Sequence, residues 1–325
     1  MKKHFKKLLL MALMAVMAVG LIACGTDKSD NESTKEEKTS VTITSLDASK
    51  NEIELEVPYN PKRIAILDLA CLDIIDELGV GDRVVGMAST SIDYLEKYSN
   101  DASIKNLGTI KEADLEAVME CEPDIIFIGG RLSKSYDALS EIAPVVYLAT
   151  DTNEGLVNSV SKNAKTIASI FGMEDKIDSL MSDFGSRIDT IKKISSGKTA
   201  LVGMTTSGSF NLLGNDGRCS LIGVEAGFNN LTAAGSTSTH GNESSFETVV
   251  QQNPDYIFVM DRDSAISTAG AKTAKEIVEN ELVKTTDAYK NNHIIYLEHS
   301  NVWYTAEGGI QALDIMLTDL EKGLK

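Results

Sequence analysis

Tryptophan occurs once in 325 residues, histidine four times, cysteine four times and proline five times. So little histidine argues against a receptor built to cage a bare metal ion. The cysteines stand apart at 24, 71, 121 and 219, with no C-x-x-C pair and no spacing that reads as a disulfide framework. Cys71, Cys121 and Cys219 are best read as small buried apolar side chains. No G-x-S-x-G, H-E-x-x-H or P-loop spacing occurs, and LGVGDRVVG lacks the G-x-G-x-x-G pattern. The chain is therefore expected not to be an enzyme and to have no intrinsic cofactor. Basic side chains are also scarce, 31 against 48 acidic, for a formal net charge of −17. A nucleic-acid partner would want a basic face, so none is expected. An anionic ligand must be drawn by a local cationic cluster against the overall field.

The long apolar run lies at the start. MKKHFKK carries four lysines, LLLMALMAVMAVG follows, and LIAC ends at Cys24. The run is short for a spanning helix, which needs ~20 residues, and the pattern reads as an export signal. LIAC resembles the lipobox of bacterial lipoproteins. The resemblance implies a signal peptide over 1–23, cleavage before Cys24 and a lipid on its sulfur that ties the chain to a membrane. The other reading is an uncleaved anchor with an incidental cysteine. Cleavage would leave 27 basic and 48 acidic side chains. The polar stretch after Cys24 cannot bury a core, so residues 24–44 are expected to form a flexible tether.

The folded body contains a repeat. DLEAVMECEPDIIFIGGR (114–131) aligns without a gap on SFETVVQQNPDYIFVMDR (245–262). Glu116 falls on Glu247, Pro123 on Pro254, Asp124 on Asp255 and Arg131 on Arg262. One pair of copies is too sparse for a solenoid and fits two similar domains facing each other.

Residues 41–57 alternate apolar and polar, which predicts a hairpin turning near Ser49–Asn51. Short apolar runs then alternate with helical spacings, as in parallel sheets with crossover helices. Residues 154–194 break the alternation. Ile177, Leu180, Met181, Phe184, Ile188 and Ile191 give one apolar face, and a single long helix is predicted over 173–195. The fold class is α/β: two Rossmann-like lobes with mostly parallel sheets, at 45–172 and 196–325, joined by that helix. A ligand would sit in the cleft between them, at the strand carboxyl ends.

Arg131, Arg218 and Arg262 stand at strand or turn ends. A guanidinium is a planar cationic fork suited to carboxylate, phosphate or phenolate oxygens, although a single arginine more often pairs with a local acid. His240, in GSTSTHGNESSFE, aligns with Thr109 in the other copy, so the shared fold does not need it. It could be a metal ligand, a charge switch or a solvated loop residue. Trp303 and Tyr304, in EHSNVWYTAEGG, could wall the cleft or plug the core. His293 and His299 read as structural or exposed.

The lipobox, the two lobes, GTIKEADLE, PDIIFIGGR, STHGNESSFE, PDYIFVMDR and IIYLEHSNVWYTAEGG resemble the substrate-binding lipoproteins of iron–siderophore ABC importers. The resemblance is closest to the catecholate branch. It implies that Arg131, Arg218 and Arg262 contact catecholate oxygens of a ferric siderophore; on the wall reading, Trp303 would line the same site. It implies that His240 and Tyr304 can ligate the iron, and that Glu116 and Glu247, with neighbouring Glu112 and Glu243, dock the lobes on a permease dimer. The receptor would act as a monomer, lipid-anchored through Cys24 on the outer face of the cell membrane. Other cargo of the same fold would be a hydroxamate siderophore, heme or cobalamin.

Overall fold

The computed structural model describes residues 38–233 and 237–325. The leader, Cys24 and most of the tether fall outside them. Residues Lys38–Lys325 form one compact unit. Ser40–Leu46 pairs antiparallel with Glu52–Pro58 from end to end, so the expected hairpin is present. It begins inside the segment assigned to the tether. Asp47 accepts the backbone N–H groups of Ser49 and Asn51, and Lys50 takes the left-handed turn position.

The N-terminal lobe is built on a five-stranded parallel sheet, in the spatial order Lys105–Asn106, Val84–Met87, Ile64–Ile66, Ile125–Ile128, Val145–Tyr147. In the C-terminal lobe Thr199–Thr206 is central. It runs parallel to Tyr256–Asp261, which pairs in parallel with Ile294–Tyr296. Ser209–Leu212 closes the other side antiparallel. Consecutive strand residues point to opposite faces, and here each face meets its own core. Ile125 and Phe127 enter the large cluster shared by both lobes, whereas Ile126 and Ile128 enter a cluster confined to the first lobe. Tyr256 and Phe258 likewise join the shared core, and Ile257 and Val259 a local one. Burial on both faces is why these strands read as unbroken apolar runs.

The repeat has a structural meaning. The Asp124 carboxylate accepts the N–H groups of Lys62 and Arg63, at 2.7 and 2.9 Å, just ahead of the neighbouring strand Ile64–Ile66. Asp255 accepts the N–H and hydroxyl of Thr199, at 2.8 and 2.9 Å, at the start of its neighbour. The two Pro–Asp pairs thus pin equivalent strand ends. Upstream, Asp114 caps the helix Leu115–Glu120 and Ser245 caps Phe246–Gln252.

The linking segment is helical in two pieces, Asp175–Leu180 and Phe184–Ser195, rather than one rod. The apolar face persists, with Ile177, Phe184, Ile188 and Ile191 buried. At the break the Ser182 hydroxyl bonds the Ser179 carbonyl, a local competition that weakens helices. The terminal helix Ile310–Gly323 returns to the first lobe and packs on Leu69–Glu77. Buried Asp73 accepts three of its first N–H groups, those of Ile310, Gln311 and Ala312, at 2.7, 3.0 and 2.9 Å. Arg187 ties the same helix to the linker through Asp314 and Glu321. The chain just before this helix is therefore held by both lobes.

Candidate functional site

That doubly held chain is the short helix Ser300–Thr305, and it carries Tyr304. All three arginines converge on this residue. Arg131, three residues past the strand Ile125–Ile128, donates from Nη2 to the Tyr304 carbonyl at 2.9 Å. Arg218 donates from Nε to the same carbonyl at 3.4 Å and from Nη1 to the Thr239 carbonyl at 2.7 Å. Arg262, directly after Tyr256–Asp261, donates from Nε to the Tyr304 hydroxyl at 3.2 Å. Their guanidinium carbons lie 5.4, 4.5 and 5.7 Å from the centre of the phenol ring, within range of cation–π attraction. The arginines that close the two copies of the repeat thus meet, one from each lobe, at a single tyrosine.

Nearly all of the groups satisfying these cations are neutral. Arg262 has one carboxylate, that of buried Asp263 at 3.3 Å, and the Thr206 hydroxyl at 3.1 Å. Among the described residues neither Arg131 nor Arg218 forms an ion pair. Burial, and then the charge of Arg218, pull Arg131 below its ordinary pKa. Two carboxyls lie nearby, and burial pushes both up, Glu307 to about 7 and Asp68 in the same direction. Three like charges gathered with a single paired carboxylate make the site receptive to an anion.

Tyr304 is only 3 % exposed. Burial alone would raise its pKa. The hydrogen bond from Arg262 and the charges of Arg218, Arg262 and Lys111 outweigh that, and the phenol lies below its usual range. His240 is exposed, its backbone carbonyl accepting from Asn211 at 2.8 Å. Partial desolvation, then Arg262, Arg218, Lys111 and Arg131, lower its pKa, so the imidazole stands in the same cationic field and favours its neutral, ligating form. The arrangement offers one phenol oxygen bonded by Arg262 and one exposed imidazole in the field of the same cations. That set suits ferric iron wrapped in anionic oxygens.

Trp303 is a correction. It is fully buried, and its indole N–H donates to Asp319 at 2.9 Å. Adjacent helix positions point apart, so as Tyr304 turns toward the arginines Trp303 turns into the core. The exposed glutamates fall where the repeat places them: Glu116 and Glu247 in the first turns of equivalent helices, Glu112 and Glu243 just upstream. His293 stacks on Tyr256 at 4.2 Å and His299 bonds Asp319 at 2.7 Å; both are structural. Cys71, Cys121 and Cys219 are buried free thiols.

Sequence reasoning missed Lys111 and Glu307. Lys111 lies in the turn between Gly108–Thr109 and Glu112–Ala113, and its repeat counterpart is Asn242, so the alignment gave no signal. Glu307 accepts the Cys219 N–H at 2.9 Å, a contact across 88 residues that no local spacing announces.

Three known proteins are similar to this chain. The petrobactin-binding protein YclQ of Bacillus subtilis (strain 168) is 35% identical over 330 residues, covering 98% of this chain and 99% of its own. Its crystal structure superposes with a TM-score of 0.81, covering 88% of this chain and 99% of that one. The periplasmic catecholate-siderophore binding protein VctP of Vibrio cholerae is 30% identical with a TM-score of 0.78, over 87% of this chain and 100% of its own. The ferric-anguibactin-binding protein FatB of Vibrio anguillarum (strain ATCC 68554 / 775) is 26% identical over 273 residues, 82% of this chain and 84% of its own. Residues 64–300 match the family described as periplasmic binding protein, and the chain belongs to that family.

Proposed function

We propose that this protein is the extracytoplasmic receptor of an ABC importer, which binds ferric catecholate siderophores and delivers them unchanged for iron uptake. The observation that carries the reading is the convergence of Arg131, Arg218 and Arg262 on Tyr304. A ferric catecholate complex is an anion with a rim of phenolate oxygens. Each charged hydrogen bond to such an oxygen contributes about 1.5–3 kcal/mol, and the arginines meet that rim with almost no competing carboxylate. The names of the three relatives support a siderophore cargo.

A tetradentate ligand leaves two of iron's six positions open. Tyr304 oxygen and a His240 nitrogen would fill them, with iron completing the deprotonation that the arginines already favour. A hexadentate ligand would rest on the arginines alone. Lipidated Cys24 would hold the receptor on the outer face of the cell membrane as a monomer. Glu116 and Glu247, with Glu112 and Glu243, would present matching acids to a two-fold permease.

Titration of intrinsic fluorescence with ferric complexes tests the reading. Trp303 adjoins Tyr304, and sub-micromolar quenching by ferric bis-catecholate is expected. His240→Ala and Tyr304→Phe should weaken tetradentate complexes at least tenfold more than hexadentate ones. Equal losses would remove direct ligation. Tight quenching by heme, with none by ferric catecholates, would reverse the cargo.

A further inference from the structure

Tyr304 reaches the arginines from a helix of six residues, Ser300–Thr305, which is too short to hold its own orientation. A buried carboxyl group supplies the missing hold. Asp319, on the terminal helix Ile310–Gly323, accepts the His299 N–H at 3.0 Å and the Trp303 indole N–H at 2.9 Å, both through Oδ2. Its Oδ1 lies 2.7 Å from His299 Nδ1, which makes that ring nitrogen the donor. Positions 299 and 303 are four apart and so lie one above the other on a single face. Asp319 therefore grips both ends of one turn.

Tyr304 follows Trp303 and stands about 100° further round the helix axis, where its hydroxyl meets Arg262. Clamping one face fixes the direction of the other. Two further ties act at the first turn: the Ser300 hydroxyl accepts the Asp261 N–H at 3.1 Å, and Asn301 donates to the Ser91 carbonyl at 2.8 Å. The arginines reach only the carbonyl, ring and hydroxyl of Tyr304 itself, groups at which the cargo would compete for them. Glu298, His299 and Asp319 each bring one ligand atom within 4.8 Å of the others. Asp319 spends both oxygens on its three donors, however, and Glu298 pairs with Lys322 at 2.9 Å. The group is a clamp rather than an ion cage.

We propose that Asp319 is the positioning residue for Tyr304. Through Trp303 and His299 it holds the phenol oxygen where a tetradentate ferric complex leaves a coordination position open. The inference rests on the direct ligation by Tyr304 proposed above. A ligating side chain has to be held within roughly 0.5 Å of its working place by groups that are themselves locked. The terminal helix is such a support, because Asp73 and Arg187 anchor it independently of the cargo.

The test follows the vibrations of iron-bound tyrosinate by resonance Raman, with ring-deuterated tyrosine in the receptor to separate its bands from those of catecholate. The native receptor saturated with a ferric bis-catecholate should show label-sensitive bands, and Tyr304→Phe should lose them. Trp303→Phe removes one N–H from the clamp and keeps a ring in the core. Asp319→Asn replaces an acceptor oxygen with a donor. Each is expected to lose most of the band intensity. Each should also weaken the tetradentate complex about tenfold, and a hexadentate complex by no more than about threefold. Full band intensity in either folded variant, or equal losses for the two complexes, overturns the positioning role. Should Asp319→Asn fail to fold, Trp303→Phe decides alone. Tight binding by a native receptor that shows no label-sensitive bands would remove direct ligation, and this inference with it, and would leave the catecholate reading standing.

Discussion

The two copies of the repeat differ most at the arginine cluster around Tyr304. Their frames match in detail: Asp124 and Asp255 pin equivalent strand ends, Asp114 and Ser245 cap equivalent helices, and Glu116 and Glu247 stand in the first turns of those helices. The arginines that end the copies are held differently. Arg131 has the Tyr304 carbonyl and no carboxylate, whereas Arg262 has Asp263, Thr206 and the Tyr304 hydroxyl. His240 stands opposite Thr109, and Lys111 opposite Asn242. What both lobes keep is scaffold and outer surface; what differs is the chemistry gathered around Tyr304. A symmetric partner would read the first set and an asymmetric ligand the second.

The largest effect should come from breaking what is shared. With both Glu116→Ala and Glu247→Ala, iron uptake by cells should stop while ligand affinity in fluorescence titration stays level. Unchanged uptake would return these acids to simple helix-end electrostatics. Next come the arginines. Arg131→Ala and Arg262→Ala should each lower affinity for a hexadentate ferric catecholate by roughly 10–100-fold. Their stabilities should diverge. Losing Arg262 removes the charged partner of Asp263, only 5 % exposed at its side chain and left with the Ser207 N–H alone, and should cost about 1–3 kcal/mol in denaturant unfolding. Losing Arg131 removes a desolvated cation facing Arg218 and should leave stability level or higher. Equal destabilisation would show that the lobes hold their arginines alike after all. Smaller again, Asp124→Ala and Asp255→Ala should destabilise by similar amounts, of order 1–2 kcal/mol, with affinity preserved in both.

The frame was legible because burial on both faces writes itself as apolar runs, and because Pro–Asp and the caps act through near neighbours. The arginines and His240 were legible through the repeat and the family resemblance together. Two failures have plain causes. Spacing alone could not tell that Ser182 and Asp183 would part the linker, since the apolar face continues across the break. Nor could it tell which side of the final short helix Trp303 would take, because neighbours on a helix face apart and Asp319, 16 residues on, decides the matter. Glu307 depends on a contact between distant segments, to which a single sequence gives no local sign, and Lys111 has no counterpart of its own type in the repeat.

Glu307 supplies the finest test of how unevenly the lobes are charged. It touches the Cys219 N–H and feels Arg218 and Arg131. Burial raises its pKa to about 7, the two arginines only partly opposing that. Below that pH the carboxyl is neutral and the arginine charge is uncompensated. As pH rises through 7 the carboxylate forms beside them and offsets the field that an anion would use. Binding of an anion therefore favours the protonated form, and affinity for a hexadentate complex should fall a few-fold between pH 6 and 8. Tyr304 works in the opposite direction for a tetradentate complex, since ligation through a phenolate releases a proton and is aided by rising pH. A hexadentate cargo, which leaves iron no open position, isolates the Glu307 contribution. Glu307→Gln should flatten that profile at the affinity seen near pH 6. A slope that survives the substitution would place the titrating group elsewhere in the cluster, and would mean that the charge difference between the lobes is set by the arginines' own partners alone.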